Sequence, residues 1–230
     1  MNKNLHCSIL LILLFWSSKA FSQHYAFDYE VISLTKYSTS ADFDPDSTTE
    51  FQSSVLFNSQ DPQVSLIFIQ RKEKDYEAVL MDGKYKLMHF FNLIRDEDRS
   101  VTGFDYLSSS TTSKFKDLSI NVKLIAHKDD VTDILVQTGH DYYQNVSIRV
   151  EESEQDLLHF FRLSQVPSER KAIIGLLHKV LKSDHRYMVK EYTVKASGKA
   201  FTHVKNEINA VKLSVTLPDT KRLRKLMSKK

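Results

Sequence analysis

Two histidines carry the clearest chemical hint in this chain. The segments Leu87-Met88-His89-Phe90-Phe91-Asn92-Leu93 and Leu157-Leu158-His159-Phe160-Phe161-Arg162-Leu163 repeat one pattern at an offset of 70 residues. In an extended chain, side chains two apart share a face, so His89 would lie beside Phe91 and His159 beside Phe161. If both faces met in one pocket, the imidazoles could act as ligands or proton carriers between phenyl walls. The competing reading makes each a neutral, hydrogen-bonded side chain within a sheet. The flanks of the two segments do not match. Chance similarity therefore competes with a duplicated hairpin, and the second copy could instead be a short helix capped by Ser153.

A second cluster is acidic. Asp42, Asp44, Asp46 and Glu50 form a carboxylate ladder of the kind that holds a hard cation such as calcium. An EF-hand loop needs glycine at its sixth position and glutamate at its twelfth. Ser47 and Ser53 stand there, and Pro45 stiffens the middle, so a solvated acidic loop is the expectation. No His-Glu-x-x-His pair and no Gly-x-Ser-x-Gly elbow occurs, and with five glycines in the chain there is no glycine-rich phosphate loop. A hydrolytic acid pair gathered from distant strands leaves no local signature. No catalytic residue and no cofactor is therefore assigned from the sequence.

The elements that would position these groups begin after a leader. Lys3 supplies a positive start, Ile9 to Trp16 is an apolar run of eight residues, and Ala20-Phe21-Ser22 places small residues where a signal peptidase reads. A spanning helix needs roughly 20 apolar residues, and a lipid anchor needs a cysteine after the run, whereas Cys7 precedes it. The pattern predicts a signal peptide over 1–22, cleavage near Ser22, and a secreted or periplasmic protein with no transmembrane span. Cleavage removes Cys7 and Trp16, the only cysteine and the only tryptophan. A mature chain without cysteine has no disulfide staple, thiol nucleophile or thiolate metal site, so burial must hold it together.

Removing Lys3 and Lys19 leaves 30 bases against 29 acids. The stretch 219–230 holds six of those bases (Lys221, Arg222, Arg224, Lys225, Lys229 and Lys230) and one acid, which leaves the body mildly acidic. A nucleic-acid binder carries its basic surface across the domain, so no nucleic-acid partner is expected. In the tail, Leu223, Leu226 and Met227 stand at helical spacing among the bases. That pattern suits peripheral contact with an anionic membrane surface, although a frayed, solvated terminus competes with it.

Between leader and tail, period-2 alternation dominates. Leu118, Ile120, Val122, Leu124 and Ala126 alternate with polar residues, as do Tyr142, Val146, Ile148 and Val150, and Val211, Leu213, Val215 and Leu217. Tyr25, Phe27, Tyr29 and Val31 alternate until the phase flips at Ile32, which predicts a bulge there. Val64 to Ile69 is apolar on both faces and reads as a strand covered on both sides. Asp61-Pro62, Asp82-Gly83, Gly139 and Ser197-Gly198 mark turns. A helix is predicted over about 168 to 183, opened by Pro167, with Ile173, Leu176, Leu177, Val180 and Leu181 on one face.

The leader ending Ala20-Phe21-Ser22-Gln23, the aromatic first strand from Tyr25 to Val31, the polar loop and the run of hairpins, one turning at Ala78-Val79-Leu80-Met81-Asp82-Gly83, resemble the uncharacterised β-rich secreted proteins of Gram-negative envelopes, including the GLPGLI type. More distantly the layout is similar to the half-barrel lipoprotein carriers of the LolA/LolB type. The likeness is one of layout, and it brings no functional residues with it.

The expectation is a mainly β (α+β) protein: residues 23–218 form one domain, a large curved antiparallel sheet or open half-barrel of about ten strands with one packed helix. The expected task is non-catalytic binding of an apolar ligand or of a partner chain, such as an envelope protein, with His89, Phe91, His159 and Phe161 as ligand-binding candidates. A structural or adhesion-type module docking through sheet edges and the basic tail is the second expectation, and a hydrolase with a dispersed site the third.

Overall fold

A computed structural model of the chain describes residues 23–38, 48–69, 77–98, 100–112, 119–139, 142–161, 167–196 and 200–228. The leader over 1–22 and Asp42, Asp44 and Asp46 of the acidic ladder lie outside these residues.

Eleven strands form one open antiparallel sheet: β1 (His24–Ser38), β2 (Thr49–Asn58), β3 (Asp61–Phe68), β4 (Ala78–Asp82), β5 (Leu87–Arg95), β6 (Val101–Thr111), β7 (Ile120–Lys128), β8 (Val131–Thr138), β9 (Tyr142–Glu152), β10 (Tyr187–Ala196) and β11 (Phe201–Thr216). A short 3-10 helix (Leu158–Phe160) and helix α1 (Pro167–Val180) separate β9 from β10, and helix α2 (Lys221–Met227) follows β11. The order across the sheet is β6-β5-β4-β3-β2-β1-β11-β10-β9-β8-β7. Two meanders thus meet at the centre, where β1 pairs with β11 from His24 opposite Thr216 to Ser38 opposite Phe201.

The outer strands β6 and β7 are consecutive in sequence. Eleven strands laid flat at about 4.8 Å would separate the two edges by about 48 Å. Thr111 and Ile120 are joined by a chain that spans at most about 30 Å, so the sheet must curve and twist to keep its edges within that reach.

Three clusters hold the sheet. The first gathers Tyr25, Phe27, Leu56, Leu66, Leu80, Leu87, Phe91, Val215 and Leu217, and Leu223 of α2 belongs to it. The second packs Ile173 and Leu177 of α1 on Ile134, Val136, Val146, Ile148, Val189 and Val204. The third joins Val31, Val55 and Phe57 to Leu157 and Phe160, with Ile67 packed against it. Neighbours on β3 therefore enter different cores, Leu66 the first and Ile67 the third, which is the two-sided burial expected of an unbroken apolar run.

Three expectations need correction. The ladder irregularity of β1 falls between Phe27 and Tyr29, while pairing to both neighbours runs without a break from Tyr29 through Val31 and Ile32 to Tyr37. The reason is the change of core: Tyr25 and Phe27 enter the first cluster, and Val31 enters the third. The helix ends at Val180. The tail is not a frayed terminus, because Leu223 is buried and Leu226 and Met227 pack against the first cluster. Seven residues cannot hold a helix alone; docking of that apolar side orders it, and Thr220 Oγ1 accepts the Leu223 amide at 3.1 Å.

Candidate functional site

The structure sets the two His-Phe-Phe segments in unlike surroundings. His89 lies on β5 with no exposed surface, and Phe91 beside it meets the rings of Phe104 and Tyr106 edge-on in the first cluster. His159 sits in the 3-10 helix with its ring 4.1 Å from that of Phe160, and Phe161 packs edge-on against Tyr192 in the second cluster. One copy is a strand and the other a helical turn, so the repeat is not a duplicated hairpin. The turn at Leu158–Phe160 has no side-chain cap. Glu50 stands on β2 and pairs with Lys36 at 3.1 Å. Among the described residues, no group of three or more metal-ligating side chains gathers.

Around His89 the chain builds a buried polar network. Its Nδ1 and Ser109 Oγ are 2.6 Å apart, and Tyr106 Oη lies 2.7 Å from the same hydroxyl. On its other flank is the Tyr25 ring, whose hydroxyl donates to Asp82 Oδ2 at 2.5 Å. The Asp82 carboxylate also accepts the Tyr85 amide at 2.8 Å and the Gln23 side-chain amide at 3.4 Å. His89 Nε2 is buried and has no hydrogen-bond partner. Burial pushes this imidazole down to about 4, with the Asp82 charge pulling the other way. Burial and the hydrogen bond to Asp82 raise the Tyr25 phenol far above its ordinary range. A neutral imidazole and a satisfied carboxylate sealed in a core position strands; without access they have no substrate to act on.

At the surface, titratable side chains line a pocket of about 210 Å³ at the C-terminal end of α1. His178 Nε2 lies 3.5 Å from Asp156, and His185 Nδ1 lies 2.6 Å from Glu152. These side chains are open to water, with His178 and Asp156 51% and 45% exposed. Exposed pairs of this kind interact weakly because water and salt screen them.

A second concavity is mostly apolar and lies beside a sheet edge. A groove of about 490 Å³ runs along the flank of α1 past β7, lined by Val122, Ser168, Lys171, Ala172, Gly175, Leu176 and Lys179. Helix α1 buries Ile173 and Leu177 in the sheet, so the strip through Lys171, Gly175 and Lys179 faces away from that core. Among the described residues, β7 pairs only with β8, leaving its outer N–H and C=O groups without a ladder. The Asp129-Asp130 turn, with Asp129 at φ 54°, holds the β7–β8 hairpin. Next to the groove, Leu124 is 39% and Ile125 58% exposed.

No family model matches this chain, and no curated protein matches it. The site must therefore be judged on its own geometry.

Two features of that geometry leave only faint marks in the sequence. Asp82-Gly83 reads as a turn, yet its aspartate falls in the inward phase of Ala78-Val79-Leu80-Met81-Asp82 beside a wholly buried Leu80. Gly175 stands on the exposed side of the helix, opposite its apolar stripe, where alanine would serve the helix better. The cleanest alternation of all, from Ile120 to Ala126, belongs to the exposed edge strand, and Leu118 lies outside the described residues.

Proposed function

We propose that this protein is a non-catalytic binding module that docks an extended segment of a partner chain along β7, as a twelfth strand beside the α1 groove. The observation that carries this reading is the coincidence of an unladdered edge with exposed Leu124 and Ile125 and the apolar floor of Val122, Ala172 and Leu176. Edge strands template pairing: main-chain hydrogen bonds supply affinity, and pockets for alternate side chains supply specificity. An acyl chain would use the groove but leave the strand edge unpaired, so a peptide accounts for more of the surface.

The leader would deliver the module to an exported compartment, where envelope or secreted chains are its partners. The basic tail adds at most a weak electrostatic attachment to an anionic surface. Its apolar residues Leu223, Leu226 and Met227 already pack on the protein's own core and are not free to enter lipid.

The test is to select binders from a random peptide library on the purified chain and to follow backbone amide exchange with each bound. Protection of the amides over 120–128 supports the reading. Binders that leave β7 unprotected sink it.

A further inference from the structure

Among the described residues, Asp82 is a buried carboxylate without a cation. It is 1% exposed, and its three donors, the Tyr25 hydroxyl, the Tyr85 amide and the Gln23 side-chain amide, are all neutral. The titratable groups around it supply no positive charge either: Tyr25, Tyr85 and Asp61 carry none, and burial keeps His89 neutral. A carboxylate withdrawn from water is ordinarily paired with a cation as well as hydrogen-bonded. Gln23 adds a second unmet demand at the same place, because its Oε1 is buried and has no donor.

Both demands converge on the residue that follows the expected cleavage point. Gln23 is half-buried, and its side chain alternates onto the same face as those of Tyr25 and Phe27. Its carbonyl accepts the Leu217 amide at 2.8 Å, which ties it to the chain just after β11. Hydrolysis of the Ser22–Gln23 bond adds one water: the released leader keeps a carboxylate, and Gln23 gains an α-ammonium. Four carbons separate that nitrogen from Nε2, which is itself 3.4 Å from Asp82. The new charge therefore stands at most about 10 Å from the carboxylate. With nothing upstream, rotation about the Cα–C bond of Gln23 brings it nearer while the bond to Leu217 is kept. In the uncut chain the same nitrogen is an amide with one hydrogen and no charge.

Resting on the leader proposed above, we propose that removal of residues 1–22 completes the first core. The α-ammonium of Gln23 becomes the counter-charge of Asp82 and a donor to Gln23 Oε1. Processing thus acts as a latch at the start of β1, and the processed chain is more stable than the same chain carrying an N-terminal extension.

The experiment begins with the full chain expressed with its leader in a Gram-negative host, where the mass of the purified product locates its first residue. A first residue other than Gln23 overturns the leader boundary and the latch together. A product that starts at Gln23 but is lighter by one ammonia has closed its glutamine onto the amine, which overturns the latch alone. Urea unfolding then compares the 23–230 chain with one preceded by Ser-Gly-Ser-Gly. The free terminus is expected to raise the folding equilibrium constant about tenfold, the order of one charged hydrogen bond. That advantage should vanish in Asp82→Asn.

A second readout does not depend on the variant's folding. The α-amine of the native 23–230 chain should be acylated severalfold more slowly than that of the free peptide Gln-His-Tyr-Ala-Phe. Equal stability of the free and extended chains, an advantage that persists in Asp82→Asn, or an amine as reactive as the peptide's overturns the latch and leaves the leader standing.

Discussion

Tyr25 and Asp82 meet at 2.5 Å in the buried wall between β1 and β4, 57 residues apart in the chain. The phenol is the one hydroxyl that satisfies Asp82 Oδ2 from β1, so the contact ties the first strand to the β3–β5 meander. Tyr25→Phe removes the donor and keeps the ring. It is expected to cost about 1.5–3 kcal/mol, the range for a hydrogen bond to a charged group. Urea unfolding checks this, and a change below about 0.5 kcal/mol would show that the carboxylate is held adequately by the Tyr85 and Gln23 amides alone.

His89 makes the same region sensitive to acid. Its imidazole titrates near 4 in the folded protein against an ordinary 6.5, because burial disfavours the charged form. A depressed histidine binds its proton more readily in the unfolded chain. Its contribution is therefore complete above about pH 6.5 and is lost as pH falls through the window from 6.5 to 4. At about 1.4 kcal/mol for each step of acidity, roughly 3 kcal/mol disappears across that window. Burial shifts His159 in the same direction. Comparing unfolding free energies of the native chain and His89→Gln at pH 7 and pH 4.5 isolates the effect, and parallel pH profiles would refute it.

Leu223 turns the tail into part of the fold. It is 2% exposed in the first cluster, so Leu223→Ala should destabilise the protein by about 2–4 kcal/mol and raise exchange across α2. Leu226→Ala, at a partly buried position, should cost less. Stability unchanged by Leu223→Ala would mean that the tail is not docked in solution.

Much of the architecture is legible because side chains in strands alternate with period 2, whatever they pair with. That periodicity marks Val146, Ile148 and Val150, or Val215 and Leu217, as inward residues, and all five are buried. It is silent on partners. Nothing near Tyr25 or Val215 announces that they lie opposite one another, since pairing across the whole chain depends on the collective fit of both meanders. It is also silent on which strand stands at an edge: Val122 and Leu124 alternate as well as any core pair, yet among the described residues β7 pairs only with β8, and Leu124 is left exposed while Val122 is half-buried. The histidine segments show a further limit. A seven-residue likeness says nothing about conformation when one copy is held in a ladder by Leu80 and Ser109 and the other closes a helical turn through the Phe160 and Phe161 amides.

The pairing of β1 with β11 bears on how the chain reaches this state. The central seam of the sheet joins the first strand to the last, so it closes only after nearly the entire polypeptide is available, and the sequence separation of its contacts is close to the largest the chain allows. Such wiring slows folding. A circular permutant opened between β6 and β7, with its old ends tethered near Gln23 and α2, would run from one edge of the same sheet to the other as a single meander, every strand beside its successor. The native connectivity instead holds the seam open until the last strand has been made, so neither meander can complete the sheet's centre before the other exists.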